Sequence, residues 1–390
     1  MKRLTLILAL ALTFPLLGQT DAQLREAIQR LEQVVEQQPT NLPYVYILAT
    51  YYDKAKDEEG VVRTLQKLLA AEWEYGLAKD GFRNSKSEAF RKVALSLHAR
   101  EPKVNRAKTA FKIANRRDLI PEGIAYDPVD DVFYLSGLYH RNVVRVTRDG
   151  VATDFVKEAQ DGMLAGLGMK VDAKRRLLWV VSGATKEMRG WKEGQQGGML
   201  AAYDLKTGKL VKKHTTSEGM MNDLALLDDG SLYVTDTNRG HVLRLAPNGE
   251  KLEVWASEFL YPNGIAVLDG SLYVADFRGL TKLDLKDKTR TRVESKSLLN
   301  GIDGLAVHKG KLIGIQNAIG RPRVIRIDPA TGVVENLESR NPRFEIPTTG
   351  AVAGDELYFI ANPGLRSFDD AGKIWPIEKL EDPVMLRLAL

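Results

Sequence analysis

Two stretches of the chain are near copies of one another: Asp223-Leu-Ala-Leu-Leu-Asp-Asp-Gly-Ser-Leu-Tyr-Val-Thr-Asp236 and Gly264-Ile-Ala-Val-Leu-Asp-Gly-Ser-Leu-Tyr-Val-Ala-Asp276. Each reads as two period-two strands joined by a tight turn rich in Asp and Gly. Related segments start at Glu122, Ala165, Asn222, Asn263, Asp303 and Thr349, at spacings of 43, 57, 41, 40 and 46 residues. That is the size of a four-stranded unit, read as strand A, hairpin, strand B, loop, strand C, turn, strand D. One such sheet cannot bury its own faces, so the units must pack radially. The repeat therefore predicts a mainly β fold, a six-bladed β-propeller over residues 110–390. An open ring would leave a bare sheet edge. The segment Ala110–Ile113 is the candidate closing strand, and the placement of Val384–Leu388 stays open.

The chain before the repeats reads differently. Residues 1–22 carry Lys2 and Arg3, then an uncharged apolar run from Leu4 to Leu17, then small and polar residues. This is the pattern of a secretory signal peptide. The run falls short of the roughly 20 residues a spanning helix needs. After cleavage no membrane insertion is expected, and the protein is expected in the periplasm or outside the cell. From Gln23 to about Ala114 the period is helical, with Leu24, Ile28, Leu31 and Val34 on one face and Pro39 as a stop. Leu42–Lys54 and Glu58–Trp73 follow as a pair across a short acidic turn. This small all-α domain, residues 23–109, resembles a tetratricopeptide helix pair, which implies a protein partner.

Composition removes several function classes. The chain has no cysteine, which excludes disulfides, thiolate metal sites and a cysteine nucleophile. Net charge is +5, but acidic and basic residues are interspersed and no basic block carries aromatics, so nucleic acid is not an expected partner. His98, His140, His214, His241 and His308 lie far apart, without the spacing of a histidine zinc site.

Strand A of each blade lines the central channel, so residues at its start converge on the channel mouth. The repeat register puts Glu122, Ala165, Asn222, Asn263, Asp303 and Thr349 there. Any one of the Asn or Asp residues before Gly is ordinary turn chemistry. Their shared register is what singles them out. Two carboxylates (Glu122, Asp303) and two amide carbonyls (Asn222, Asn263) suit a hard divalent cation. They leave room for water or substrate in a shell of roughly six to eight oxygens, which favours Ca2+ over Mg2+.

These residues also carry a family resemblance. Pro121-Glu122-Gly123, Asn222-Asp223, Pro262-Asn263-Gly264 and Ile302-Asp303-Gly304 resemble the metal-binding signatures of the senescence-marker-protein/gluconolactonase/luciferin-regenerating-enzyme propellers, a superfamily shared with paraoxonases and diisopropylfluorophosphatase. The resemblance spans residues 110 to 390 and implies a catalytic divalent ion held by Glu122, Asn263 and Asp303. Asn222 then either joins them or touches substrate. It further implies Lewis-acid hydrolysis of a lactone or ester, with Asp303 as base or nucleophile and Asp223 orienting Asn222. Two positions depart from the family. Met220 stands where gluconolactonases carry a sugar-holding Arg, which points to a less sugar-like substrate, and Ala165 stands where paraoxonases carry a His.

Around the mouth, His140 is a candidate general base, Thr185–Gly198 a candidate lid, and Gln316 and Asn317 candidate wall residues. The leading reading is an exported Ca2+-dependent lactonase or esterase acting on a small-molecule lactone or ester. The alternative is a non-catalytic propeller resembling NHL-type interaction modules, with a structural ion. A metal-free propeller resembling strictosidine synthase is a third reading, set against the retained Glu122 and Asp303.

Overall fold

A computed structural model describes residues 21–71, 73–78, 81–317, 319–369 and 371–390. All but the last two residues of the expected signal peptide lie outside these. Among the described residues no helix is long and apolar enough to cross a membrane.

The described residues up to Lys103, with Ile319–Pro322, form one compact unit, and the remainder forms a second. The first contains α1 (Asp21–Gln37), α2 (Leu42–Lys54), α3 (Glu58–Ala70) and α4 (Glu88–Arg100). Leu31, Leu48, Val61, Leu65, Leu68 and Leu97 fill its core, and Tyr46 stacks on Trp73 at 5.3 Å. The helical period was expected to run to about Ala114. It stops at Arg100, and the described residues between α3 and α4 are irregular, pinned where Asp53 accepts from Ser85 N–H (2.9 Å) and Oγ (2.6 Å). Val104–Ala107 already belong to the second unit, because Val104 N–H donates to Ser339 Oγ and the Arg106 and Ala107 N–H groups donate to Glu338.

The second unit is six four-stranded antiparallel sheets. Blade one is β2 (Pro121–Asp127), β3 (Val132–Gly137), β4 (Asn142–Val146) and β5 (Ala152–Val156). Blade two is β6 (Ala165–Asp172), β7 (Leu177–Gly183), β8 (Gly198–Asp204) and β9 (Leu210–Thr216), and blade three is β10 (Met221–Leu226), β11 (Leu232–Asp236), β12 (His241–Leu245) and β13 (Leu252–Ala256). Blade four is β14 (Ile265–Leu268), β15 (Ser271–Asp276), β16 (Gly279–Asp284) and β17 (Arg290–Arg292). Blade five is β18 (Ile302–His308), β19 (Lys311–Gln316), β20 (Arg323–Ile327) and β21 (Val334–Ser339). The innermost strands touch in the cycle β2, β6, β10, β14, β18, β22 (Gly350–Ala353) and back to β2, so the ring is closed.

Closure uses both ends of the repeat region. Blade six has the order β1-β24-β23-β22, where β1 is Lys108–Lys112, β22 Gly350–Ala353, β23 Glu356–Ile360 and β24 Val384–Ala389. The expected closing strand is there, and the C-terminal segment lies between it and β23. A separate apolar layer fills each gap between blades, which is why both faces of the inner strands are hydrophobic. Tyr134, Met169, Val180 and Tyr203 fill the gap between blades one and two. At the closure, Phe133 packs on Phe111 of β1 (5.7 Å) and on Tyr358 of β23 (4.7 Å). Truncating Phe111, which is buried, opens a cavity at this seam. Phe111→Ala is expected to lower propeller stability in urea unfolding by about 3 kcal/mol; a loss below about 1 kcal/mol would mean the seam is held elsewhere.

Candidate metal centre at the channel mouth

The ladder between strands A and B skips at the start of strand A in four blades, between Pro121 and Ile124, Gly166 and Met169, Met221 and Leu224, and Ile302 and Gly304. A bulge frees a residue from pairing and re-aims its side chain. Glu122, Leu167, Asn222 and Asp303 all fall in these bulges. In blades one, two and five the next residue is a glycine that meets the backbone of the next blade, and Gly264 does the same in blade four, whose ladder has no bulge. A Cβ on Gly123 would lie 2.0 Å from the Leu167 carbonyl oxygen, so only glycine fits there. Gly168, Gly264 and Gly304 meet the carbonyls of Asn222, Asp303 and Thr348 in the same way. The mouth ring is therefore Glu122, Leu167, Asn222, Asn263, Asp303 and Thr348. Blade two contributes Leu167 where Ala165 was expected, because the bulge shifts the register relative to the ladder; blade six contributes Thr348 where Thr349 was expected, since it is the Thr348 carbonyl that faces Gly304.

The polar members are tightly held. Asp303 Oδ1 accepts from Asn263 Nδ2 at 2.7 Å, and its Oδ2 accepts from Asn317 Nδ2, which also donates to the Pro347 carbonyl at 2.9 Å. Asn222 Nδ2 donates to Thr237 Oγ1 at 3.0 Å, and Thr237 in turn donates to the Pro262 carbonyl at 2.7 Å. With both amide nitrogens engaged, the Asn222 and Asn263 side-chain carbonyls accept from no donor among the described residues. The Glu122 backbone carbonyl takes the hydroxyls of Thr348 and Thr349, each at 2.7 Å, while its Oε2 is buried without a partner.

Other candidates are placed differently. Asp223 makes no hydrogen bond to the Asn222 side chain; its Oδ1 accepts from Leu224 N–H at 2.8 Å and its N–H donates to Thr235 Oγ1. Thr237 orients Asn222 instead. Gln316 points to Arg323 (2.6 Å) and to the Leu298 and Asn300 carbonyls, away from the ring. His140 is held between Asp118 (2.8 Å) and Glu158 (3.3 Å) and makes no hydrogen bond to the ring carboxylates.

Three carboxylates crowd this region, with Glu122, Asp223 and Asp303 only 7%, 4% and 8% exposed. Burial, then the charges of Asp303 and Asp223, hold the Glu122 carboxyl well above the usual range. Burial pushes Asp303 to about 7 against the lowering effect of its two amide donors. Burial also raises Asp223, and Lys170 opposes that rise. Among the described residues no three His, Cys, Asp or Glu side chains converge closely enough to bind a metal by themselves. A cation at the mouth would thus draw on Asn222 and Asn263 oxygens as well as on Glu122 and Asp303, the hard mixed donor set of Ca2+. The orphaned Glu122 oxygen fits such a group.

The rest of the mouth is apolar. Leu167 clusters with buried Ile120, Leu138 and Met188 and with partly exposed Met220, Trp191 and Leu365. The blade-two loop is packed down: Met188 is buried, and Arg189 donates its N–H to the Tyr139 carbonyl (2.9 Å) and pairs with Glu158. Below the ring the channel narrows to a waist of about 10 Å3 lined by Lys170, Asp223, Gly304 and Thr349. That space holds about one water at most, so a substrate reaches the ring only from the mouth.

Residues 120–361 match the family model of the SMP-30/gluconolactonase/LRE-like region. A gluconolactonase from Xanthomonas campestris aligns with a TM-score of 0.50 and 17% identity, covering 74% of this chain and 98% of its own. A protein of unknown function from Bacteroides thetaiotaomicron aligns with a TM-score of 0.51 and 11% identity over 74% and 77%. At these identities the likeness is one of fold. No curated protein matches the chain.

The buried carboxyls generate a pH test. Unfolded, they titrate near 4; folded, Asp303 titrates near 7 and Glu122 and Asp223 are also raised. Between those values the folded state holds more protons than the unfolded one, so stability falls as pH climbs through about 4 to 7. In chelator, the melting temperature is expected to rise as pH is lowered from 8 to 5, with a shallower rise in Asp303→Asn. A melting temperature that falls on acidification over this range would contradict the account.

Proposed function

The chain belongs to the SMP-30/gluconolactonase/LRE-like family, and from that premise we propose that it is a lactonase-type hydrolase whose divalent cation, Ca2+, is held by Glu122, Asn222, Asn263 and Asp303. The observation that carries this reading is the unpartnered, buried Glu122 Oε2 in a ring that also holds two free amide carbonyls and a second carboxylate. Bound there, a divalent cation supplies Lewis acidity that polarises a lactone or ester carbonyl and stabilises its oxyanion. Asn263 and Asn317 fix both oxygens of Asp303, so its carboxylate is aimed before substrate arrives. Asp303 takes the proton of the attacking water. Thr237 fixes the amide plane of Asn222 and so keeps its carbonyl available, while Asp223 contributes charge from beneath the ring.

Substrate class follows from the other half of the mouth. Leu167, Met188, Trp191, Met220 and Leu365 offer alkyl and aromatic surface, with the Trp191 indole N–H as the single side-chain donor among them for a polyhydroxylated ring. We assign this wall to the alkyl or aryl substituent of a hydrophobic lactone or ester. On the strength of Lys2, Arg3 and the apolar run to Leu17, we place the protein in the periplasm or outside the cell.

Hydrolysis of γ-lactones with unbranched alkyl substituents tests both parts. Activity is expected to vanish in chelator and return with Ca2+, and kcat/KM to rise up to about fourfold per added methylene, the value of burying about 0.8 kcal/mol of apolar surface. Activity indifferent to chelator would overturn the metal reading. Met220→Arg is expected to lower kcat/KM for the longest alkyl lactone at least about tenfold by placing a charge in the apolar wall; an unchanged chain-length profile would overturn the substrate assignment.

A further inference from the structure

Three residues after the mouth ring, strand A carries Ala125, Ala225, Ala266, Ala306 and Ala351 in five blades and Lys170 in blade two. One lysine thus interrupts a girdle of alanine inside the channel. All six residues line a chamber of about 460 Å3 below the waist, and Lys170 lines the waist as well. Its neighbours on the chamber wall are already paired: Lys174 with Asp228 (3.3 Å) and Arg175 with Asp172 (2.8 Å). Lys170 makes no ion pair or hydrogen bond among the described residues. At the waist the other charged lining residue is Asp223.

An ammonium group in a narrow channel loses hydration, and it persists there only where opposite charge compensates. Asp223 stands at a register position that is glycine in four other blades, Gly123, Gly168, Gly264 and Gly304. Blade two thus adds a cation and blade three an anion at two adjacent deviations from the repeat. With Glu122, Asp223 and Asp303 ionised, the three carboxylates and Lys170 sum to minus two, the charge that one divalent cation neutralises.

We propose that Lys170 is the built-in counter-ion of the metal centre, a positioning residue that sets the charge of the channel at minus two and thereby its preference for a divalent over a trivalent cation. The proposal rests on the metal reading of the mouth ring. It acts through Asp223 and needs no contact between Lys170 and the cation.

The test is calorimetric titration of the full chain with Ca2+ and, separately, with Tb3+, for wild type, Lys170→Met and Lys170→Arg. Removing one positive charge favours each cation in proportion to its own charge. If Lys170→Met tightens Ca2+ about tenfold, it should tighten Tb3+ about thirtyfold, while the metal-free melting temperature falls. Lys170→Arg keeps the charge and should leave both affinities within about twofold of wild type. Lys170→Gln serves in place of the methionine variant if that one does not fold. Wild type that binds neither cation would overturn the metal reading and the proposal with it. Wild type that binds Ca2+, with Lys170→Met changing both cations by an equal factor or not at all, would overturn the role of Lys170 alone.

Discussion

The molecule depends on how closely six innermost strands can approach one another at the channel mouth. The limiting contact is between a residue just after the start of strand A and a carbonyl of the next blade, 2.0 Å from where a Cβ on Gly123 would stand. Glycine at this position in blades one, two, four and five lets neighbouring backbones touch, and bulges in blades one, two, three and five each turn a side chain out of the ladder. Six residues from six repeats, spread between positions 122 and 348, thus share one ring. The apolar layers between blades hold this geometry, and the seam of β1, β24 and β23 keeps the ring from opening.

That close approach has an electrostatic cost. Glu122, Asp223 and Asp303 are brought together almost without solvent, and their carboxyls are all pushed upward by burial. Asp303 is relieved by two amide donors, whereas the Glu122 Oε2 is relieved by none. In the proposed metal-binding reading, such a site gives up stability in its empty form so that a cation can be bound, the trade between a strained site and its function. The ring is polar in five blades and apolar at Leu167, around which Met188, Trp191 and Met220 cluster; in the proposed reading the chemistry and the selection of substrate are thus divided between blades.

The repeat made most of the fold legible. Near-identical segments ending at Asp236 and Asp276 give the strand pair directly, and the spacing of the others gives the number of blades. Glu122, Asn222, Asn263 and Asp303 were readable as a set because they precede or begin the repeated unit. Register within blade two was not, since Ala165 and Leu167 are two residues apart around a bulge that sequence does not mark; the glycine at 168 was the available signal. Thr237 escaped notice because it acts from just beyond strand B, one position after Asp236, on a side chain of strand A; Asn317, read as a wall residue, acts in the same way on Asp303 from one position after Gln316. Lys170 becomes conspicuous only when the alanines of the other five blades are set in register with it. In the helical unit the apolar period was clear, but it carried past Arg100 because Phe111 and Ile113 of the closing segment continue the apolar pattern while packing into blade six.

The most direct measurement is anomalous diffraction from crystals of the protein grown with a heavy divalent or lanthanide substitute for Ca2+. The account predicts one strong peak on the channel axis at about 2.3–2.6 Å from oxygens of Glu122, Asn222, Asn263 and Asp303, above the waist. An empty ring at saturating cation, or a peak coordinated only by residues outside it, would contradict the central claim.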